Sequence, residues 1–231
     1  MHILLTRPLE DCSDLIIKFK ELGHSVSHFP LIKIEKMDYG EINFNDFSVI
    51  IFTSSNSIKN LKLENINKTL KCFCVGSTTE KLARASGFQN VIAADGNVRA
   101  LKELILQNHN KKDGKILYVS GELISFNLDE ALRREGYEII RIINYSVKHN
   151  DEIKDDLIEE LKKNIPDIVY VYSENSSKSF LNIIKKYQLI DSWMNTNLMC
   201  IGEKTSSVLN EVKWKKIFLF SPGEEEFLLY K

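Results

Sequence analysis

Two kinds of polar loop in this sequence have the composition to hold an anion, and each kind occurs twice. Thr53-Ser54-Ser55-Asn56-Ser57 follows an apolar run, and Ser173-Glu174-Asn175-Ser176-Ser177 follows another. Gly76-Ser77-Thr78-Thr79 comes later in the first stretch, and Gly202-Glu203-Lys204-Thr205 later in the second. Ser, Thr and Asn at a helix start accept hydrogen bonds from its first N–H groups, and the remaining N–H groups attract negative charge. Glycine lets a ligand approach the backbone closely. Ser54, Ser55, Asn56, Gly76, Thr79, Ser173, Asn175, Ser176, Gly202 and Thr205 are therefore the candidate binding residues. Helix capping alone explains any one of them; the same pattern in four loops favours a shared ligand.

Other chemistries lack their residues. Gly-x-x-Thr is not a phosphate-binding P-loop, because no Gly-Lys-Ser/Thr follows, and no Gly-x-Gly-x-x-Gly occurs. That disfavours a nucleotide or nicotinamide cofactor. No His-Glu-x-x-His or Gly-x-Ser-x-Gly is present, and the five histidines are scattered. His24 and His28 read as surface or edge-strand residues. Cys72 and Cys74 lack the other ligands a metal needs and read as small hydrophobes on a strand. No metal or cofactor is expected.

The elements that carry these loops alternate. Apolar, β-branched runs lie at Ile3–Leu5, Val26–Phe29, Val49–Phe52, Cys72–Val75, Ile116–Val119, Ile139–Ile143, Ile168–Tyr172, Leu198–Ile201 and Ile217–Phe220. Amphipathic helical patterns separate them: Leu15, Ile16, Phe19 and Leu22 before a Gly23 stop, then Leu101, Leu104 and Ile105, then Leu128, Ala131 and Leu132, then Leu157, Ile158 and Leu161. Strand–helix alternation predicts parallel sheets in an α/β fold, and about nine strands favour two sheets. In a parallel sheet the loops that follow the strands share one edge. Glu224-Glu225-Glu226 reads as the acidic first turn of a terminal helix.

Internal echoes imply two similar domains. Ile3-Leu4-Leu5-Thr6-Arg7 leads to Glu21-Leu22-Gly23, as Ile116-Leu117-Tyr118-Val119-Ser120 leads to Arg134-Glu135-Gly136. Ile51-Phe52-Thr53-Ser54 leads to Cys74-Val75-Gly76, as Val171-Tyr172-Ser173-Glu174 leads to Cys200-Ile201-Gly202. Periodicity leaves open whether the domains are consecutive or interleaved. Facing N–H-rich edges would make a cleft suited to a polyanion.

Composition bounds the setting. A net charge of −1 offers no global field for nucleic acid or an anionic membrane. No apolar run approaches the ~18 residues of a membrane span, and the amino terminus lacks a secretory pattern. Four cysteines with no framework spacing suggest reduced thiols and a cytoplasmic protein.

Taken in order, these landmarks resemble the uroporphyrinogen-III synthases. Leu4-Leu5-Thr6-Arg7-Pro8, Phe52-Thr53-Ser54-Ser55-Asn56-Ser57, Val75-Gly76-Ser77-Thr78-Thr79, Ile143-Asn144-Tyr145, Tyr172-Ser173-Glu174-Asn175-Ser176, Ile201-Gly202-Glu203-Lys204-Thr205 and Ser221-Pro222 to Leu229 carry the resemblance. It implies two similar flavodoxin-like parallel-sheet domains joined by a two-stranded hinge. Residues 1–32 with 149–231 would form one, 37–141 the inserted other, and 33–36 with 142–148 the hinge. It also implies a cofactor-free, ring-inverting cyclisation of hydroxymethylbilane to uroporphyrinogen III with loss of water, in heme biosynthesis. Thr6 and Arg7 would join the binding loops, with Arg7 a carboxylate contact, and Tyr145 would assist departure of the hydroxyl. A monomer acting on a small molecule is expected.

One loop departs from the family. Ser120-Gly121-Glu122-Leu123-Ile124-Ser125 lacks the two arginines that many members carry, at positions 120 and 125, and Glu122 adds a like charge; Lys59, Lys178 or Lys204 would have to compensate. Glu80 stands where the family usually has a small residue. The alternative reading is a non-catalytic, two-lobed binding protein for a tetrapyrrole or another small anion. A phosphate-ester enzyme is weakened by the missing P-loop and carboxylate cluster.

Overall fold

A computed structural model describes residues 1–150, 152–221 and 223–225. In chain order the elements are β1 (His2–Leu5), α1 (Ser13–Glu21), β2 (Ser25–His28), β3 (Ile32–Lys36), β4 (Phe47–Phe52), α2 (Ser55–Lys59), β5 (Lys71–Val75), α3 (Ser77–Ala85), β6 (Asn90–Ala94) and α4 (Val98–Asn108). There follow β7 (Lys115–Gly121), α5 (Leu128–Arg134), β8 (Ile139–His149), α6 (Asp155–Lys163), β9 (Ile168–Val171), α7 (Glu174–Lys186), β10 (Asn197–Cys200), α8 (Glu203–Ser207) and β11 (Lys216–Leu219). Short 3-10 turns occur in some connections. The terminal helix expected after Ser221 falls mostly on residues outside those described.

The chain divides into two compact units, Met1–Lys33 with Lys148–Lys231, and Ile34–Val147. It passes from the first to the second within β3 and returns within β8.

The first unit holds a parallel sheet in the order β2-β1-β9-β10-β11. Numbered within the unit, that order is 2-1-3-4-5, the flavodoxin-like arrangement. Alternate strand residues feed two cores. Ile3, Leu5, Ile168 and Tyr170 pack with Phe19 of α1, while Leu4, Val169 and Val171 pack with Ile158, Phe180, Ile183 and Trp193. Burial on both faces is why β1 and β9 read as unbroken apolar runs.

The second unit holds the order β3-β8-β7-β4-β5-β6, with β8 through β6 all parallel. This is the first unit's arrangement, circularly permuted: β7, β8, β4, β5 and β6 take the places of β1, β2, β9, β10 and β11. The two echoes in the sequence recur in opposite order along the chain for this reason. Phe52, Ile58, Cys72, Cys74, Ala83 and Val119 form one core, and Ile51, Phe73, Leu101, Ile105, Tyr118 and Leu132 the other. Cys72 and Cys74 are fully buried, with their sulfurs 3.7 Å apart.

Two strands lie outside the nine apolar runs: β3, expected only as a hinge strand from the resemblance, and β6. Asn90 opens β6 and Ala93-Ala94 close it, so it is weakly β-forming, and pairing with β5 makes it a strand. Among the described residues, no helix is long and apolar enough to cross a membrane.

Candidate functional site

In each sheet the connections run in opposite directions on either side of one strand pair, and ligands favour the carboxyl edge at such a switch point. In the first unit the pair is β1 and β9. Thr6 and Arg7 follow β1, and Tyr172 and Ser173 follow β9. Ser173 caps α7, its Oγ accepting from the Ser176 N–H at 3.0 Å and lying 2.8 Å from the Ser176 hydroxyl. The Arg7 guanidinium lies 4.6 Å from the Tyr172 ring centroid and 3.9 Å from the Glu225 carboxylate. The turn that carries it is anchored at the Arg7 carbonyl by His28 Nε2 at 2.7 Å, so His28 on edge strand β2 has a positioning contact. Burial, then the Glu225 carboxylate, push the Tyr172 hydroxyl well above the ordinary tyrosine range, with Arg7 opposing. That hydroxyl is buried without a hydrogen-bond partner among the described residues.

After β10, Gly202 opens α8 at φ 74 and ψ 164 with no side-chain cap. The space where its Cβ would lie is clear to 4 Å. Thr205 is buried, its hydroxyl donating to the Ile201 carbonyl at 2.8 Å. The Ser177 hydroxyl donates to the Thr205 carbonyl at 2.7 Å, tying the two loops together.

The second unit repeats this in its own residues. Its switch pair is β4 and β7. Ser54 caps α2, accepting from the Asn56 N–H at 3.2 Å, with Ser55 and Asn56 in the first turn. Ser54 and Ser173 share extended backbones, −153/146 and −160/160. Gly76 opens α3 at φ 78 and ψ 154, again uncapped and open in front, and Thr79 is buried three residues on. These glycine dihedrals fall in a region nearly closed to other residues. The sequence echo is thus an echo of conformation. Uncapped first turns leave the N–H groups of Ser77 to Thr79 and of Glu203 to Thr205 without side-chain acceptors, a pattern that suits carboxylates.

Tyr145 lies on β8, two strands from β4 and opposite Gly121 of β7. It is 7 % exposed. Nearby, Tyr118 is raised in pKa by burial, partly offset by the Thr53 hydroxyl 3.1 Å away.

A family model described as uroporphyrinogen-III synthase HemD matches residues 13–221. The chain belongs to the uroporphyrinogen-III synthase family. Comparison with curated protein sequences gave no match. Two solved structures share the fold. The uroporphyrinogen-III synthetase of Helicobacter pylori aligns at TM-score 0.64 and 17 % identity, covering 100 % of both chains. A mutant uroporphyrinogen III synthase of the extreme thermophile Thermus thermophilus aligns at 0.59 and 16 %, covering 100 % of this chain and 97 % of that one. As a member of the uroporphyrinogen-III synthase family, the chain is an enzyme of tetrapyrrole synthesis.

The structure gathers the sequence-predicted residues of this synthase-family chain into two groups. Thr6, Arg7, Ser173, Asn175, Ser176, Gly202 and Thr205 lie at the carboxyl edge of the first sheet. Ser54, Ser55, Asn56, Gly76 and Thr79 lie at that of the second, with Tyr145 on β8 of that sheet. The hydroxyls of Thr6 and Thr205 point inward, Thr6 donating to the Tyr170 carbonyl and being only 1 % exposed. Lys178 is paired with Glu174 at 2.6 Å, which holds that carboxyl below its usual range. Lys59 and Lys204 are exposed.

Sequence reasoning missed Arg141. The loop after β7 has no arginine of its own, and Arg141 of β8 reaches into it, donating from Nε to the Ser120 Oγ at 2.8 Å. A charged residue inside Ile139-Ile140-Arg141-Ile142-Ile143 was the available signal, since a guanidinium flanked by isoleucines needs partners. A shallow cavity of about 340 Å³ in the first unit is lined by Glu10, Asp11, Asp14 and Glu225 with Lys18, an acidic wall unsuited to carboxylates. Among the described residues no cluster of three or more His, Cys, Asp or Glu could hold a metal.

Proposed function

We propose that this chain is a hydro-lyase that closes hydroxymethylbilane to uroporphyrinogen III with inversion of the terminal pyrrole. One observation carries the reading: the paired Gly-x-x-Thr turns, with matching dihedrals at Gly76 and Gly202, present uncapped N–H groups in both units. The acetate and propionate carboxylates of the substrate take those donors, with Arg7 adding a charge-assisted contact.

Loss of the substrate hydroxyl as water generates an electron-poor azafulvene. The terminal pyrrole attacks it through its substituted carbon, and the resulting spirocycle fragments and recloses with that ring reversed. The protein's share is orientation of a flexible chain, a large contribution wherever reacting atoms must meet in one geometry. Tyr145 donates a hydrogen bond or proton to the departing hydroxyl.

The test is the product isomer. Purified protein given hydroxymethylbilane should yield the type III ring. Only the type I ring, formed at the spontaneous rate, would refute the assignment. Tight tetrapyrrole binding without turnover in the same experiment would instead identify a non-catalytic carrier.

A further inference from the structure

The chain has ten glycines, and all except Gly121 adopt positive φ. Turn geometry therefore explains nine of them and leaves Gly121 to be explained by its surroundings. A Cβ built on Gly121 would stand 2.6 Å from Cζ, 2.7 Å from Cε2 and 2.9 Å from the hydroxyl oxygen of Tyr145. The Tyr145 ring rests directly on the bare backbone at the end of β7.

Strand register puts it there. Ser120 pairs with Ile143, and an unbroken ladder would set Asn144 opposite Gly121; instead Gly121 pairs with Tyr145. The extra residue, Asn144, is a β-bulge, a device that re-aims side chains beside functional sites. Asn144 is fully buried, its side-chain amide donating to the Ser57 carbonyl at 2.7 Å and its backbone carbonyl accepting from the Met37 N–H at 2.9 Å.

The backbone beneath the ring is also clamped. Arg141 donates from Nη2 to the Gly121 carbonyl at 2.8 Å and the Glu122 carbonyl at 3.1 Å, besides its bond to Ser120. The Glu122 N–H donates to the Tyr145 carbonyl at 2.9 Å. One planar guanidinium thus grips three successive residues, a task a lysine ammonium cannot reproduce.

We propose that Ser120–Glu122, clamped by Arg141, is a seat that aims the Tyr145 phenol, making Gly121 and Arg141 positioning residues for the step Tyr145 assists. The proposal rests on the synthase reading and deepens it. It accounts for a glycine at a position with no backbone need of one. It also accounts for an arginine in an apolar strand, whose donors are taken up by three backbone and hydroxyl acceptors of one turn.

The experiment compares Gly121→Ala, Arg141→Lys and Tyr145→Phe, alone and combined, on the full chain with hydroxymethylbilane. Gly121→Ala and Arg141→Lys should each lower kcat on the order of 10- to 100-fold, because small displacements of a reacting group cost that much. KM should stay within about twofold of wild type, since substrate binding elsewhere is untouched. Tyr145→Phe keeps the ring and removes the hydroxyl, so adding Gly121→Ala to it should cost nothing further in kcat. Multiplying losses in the double variant, or wild-type kcat in Gly121→Ala, would overturn the seat. If Gly121→Ala does not fold, Arg141→Lys carries the same comparison. Carbon-13 tyrosine NMR, with the Tyr145 signal assigned through Tyr145→Phe, reads the seat without turnover. The ring signal should move or average in Arg141→Lys; an unchanged signal refutes the seat even if the wild-type chain forms no type III ring, a result that by itself would refute only the reaction.

Discussion

Replacing Thr205 by valine isolates one hydroxyl at the heart of the Gly-x-x-Thr turn. Thr205 is 4 % exposed, and its Oγ1 donates to the Ile201 carbonyl at 2.8 Å. Valine has the same shape, so no cavity forms, and the Ser177 hydroxyl still reaches the residue-205 carbonyl. What is lost is one hydrogen bond, with the Ile201 carbonyl left short of a donor. Such a loss costs about 1–2 kcal/mol net. In a chain of 231 residues each kcal/mol moves Tm by roughly 2–4 °C, so a fall of about 2–8 °C is expected. Because the hydroxyl serves Ile201, substrate binding should change only indirectly, through small shifts of the Glu203 to Thr205 N–H groups. Circular dichroism melting and steady-state kinetics read the two effects separately. Thr205→Ser restores the donor and should recover most of the lost stability. An unchanged Tm together with KM raised by roughly tenfold or more would refute the reasoning, because the hydroxyl's partner would then be the substrate.

Two further outcomes follow from single residues. His109 is 4 % exposed, neither ring nitrogen has a hydrogen-bond partner among the described residues, and burial lowers its pKa against the pull of Asp113. A lowered native pKa means the unfolded chain binds the proton more readily. Its stabilisation is therefore complete above the unfolded value of about 6.5 and declines as pH falls below it. His109→Phe, which can keep the stack on Tyr137, should reduce the fall in urea midpoint between neutral and mildly acidic buffer; an equal fall would place the acid sensitivity elsewhere. Gly202→Ala meets no atom within 4 Å, so its cost is backbone strain alone, about 1–3 kcal/mol. Tm should drop and KM rise as the turn's N–H groups rotate, and wild-type values of both would show that the turn tolerates a side chain.

Much of the scaffold is written locally. The helices after Ser54 and Ser173 begin where the capping serines stand, and Gly76 and Gly202 adopt the dihedrals that only glycine takes easily. Gly23 ends α1 at φ 79, as its place after the apolar face predicts. These features depend on a few neighbouring residues, and the two echoes repeat them almost unchanged. Strand β6 was hidden because Asn90, Ala93 and Ala94 leave only Val91-Ile92 as strong strand formers, a run too short to stand out without its pairing to β5.

The sequence by itself determined the parallel α/β pattern, the four polar turns and the glycine and serine chemistry that shapes them, all of it short-range. Only the tertiary structure decided what the individual side chains do. Thr6 finds the Tyr170 carbonyl 164 residues away, and Arg141 finds Ser120 across a strand pair 21 residues apart. The bulge at Asn144 exists only relative to β7 and sets Tyr145 over Gly121. Register between strands is a property of pairing and not of either strand alone, and a slip of one residue would send each of these side chains to a different neighbour.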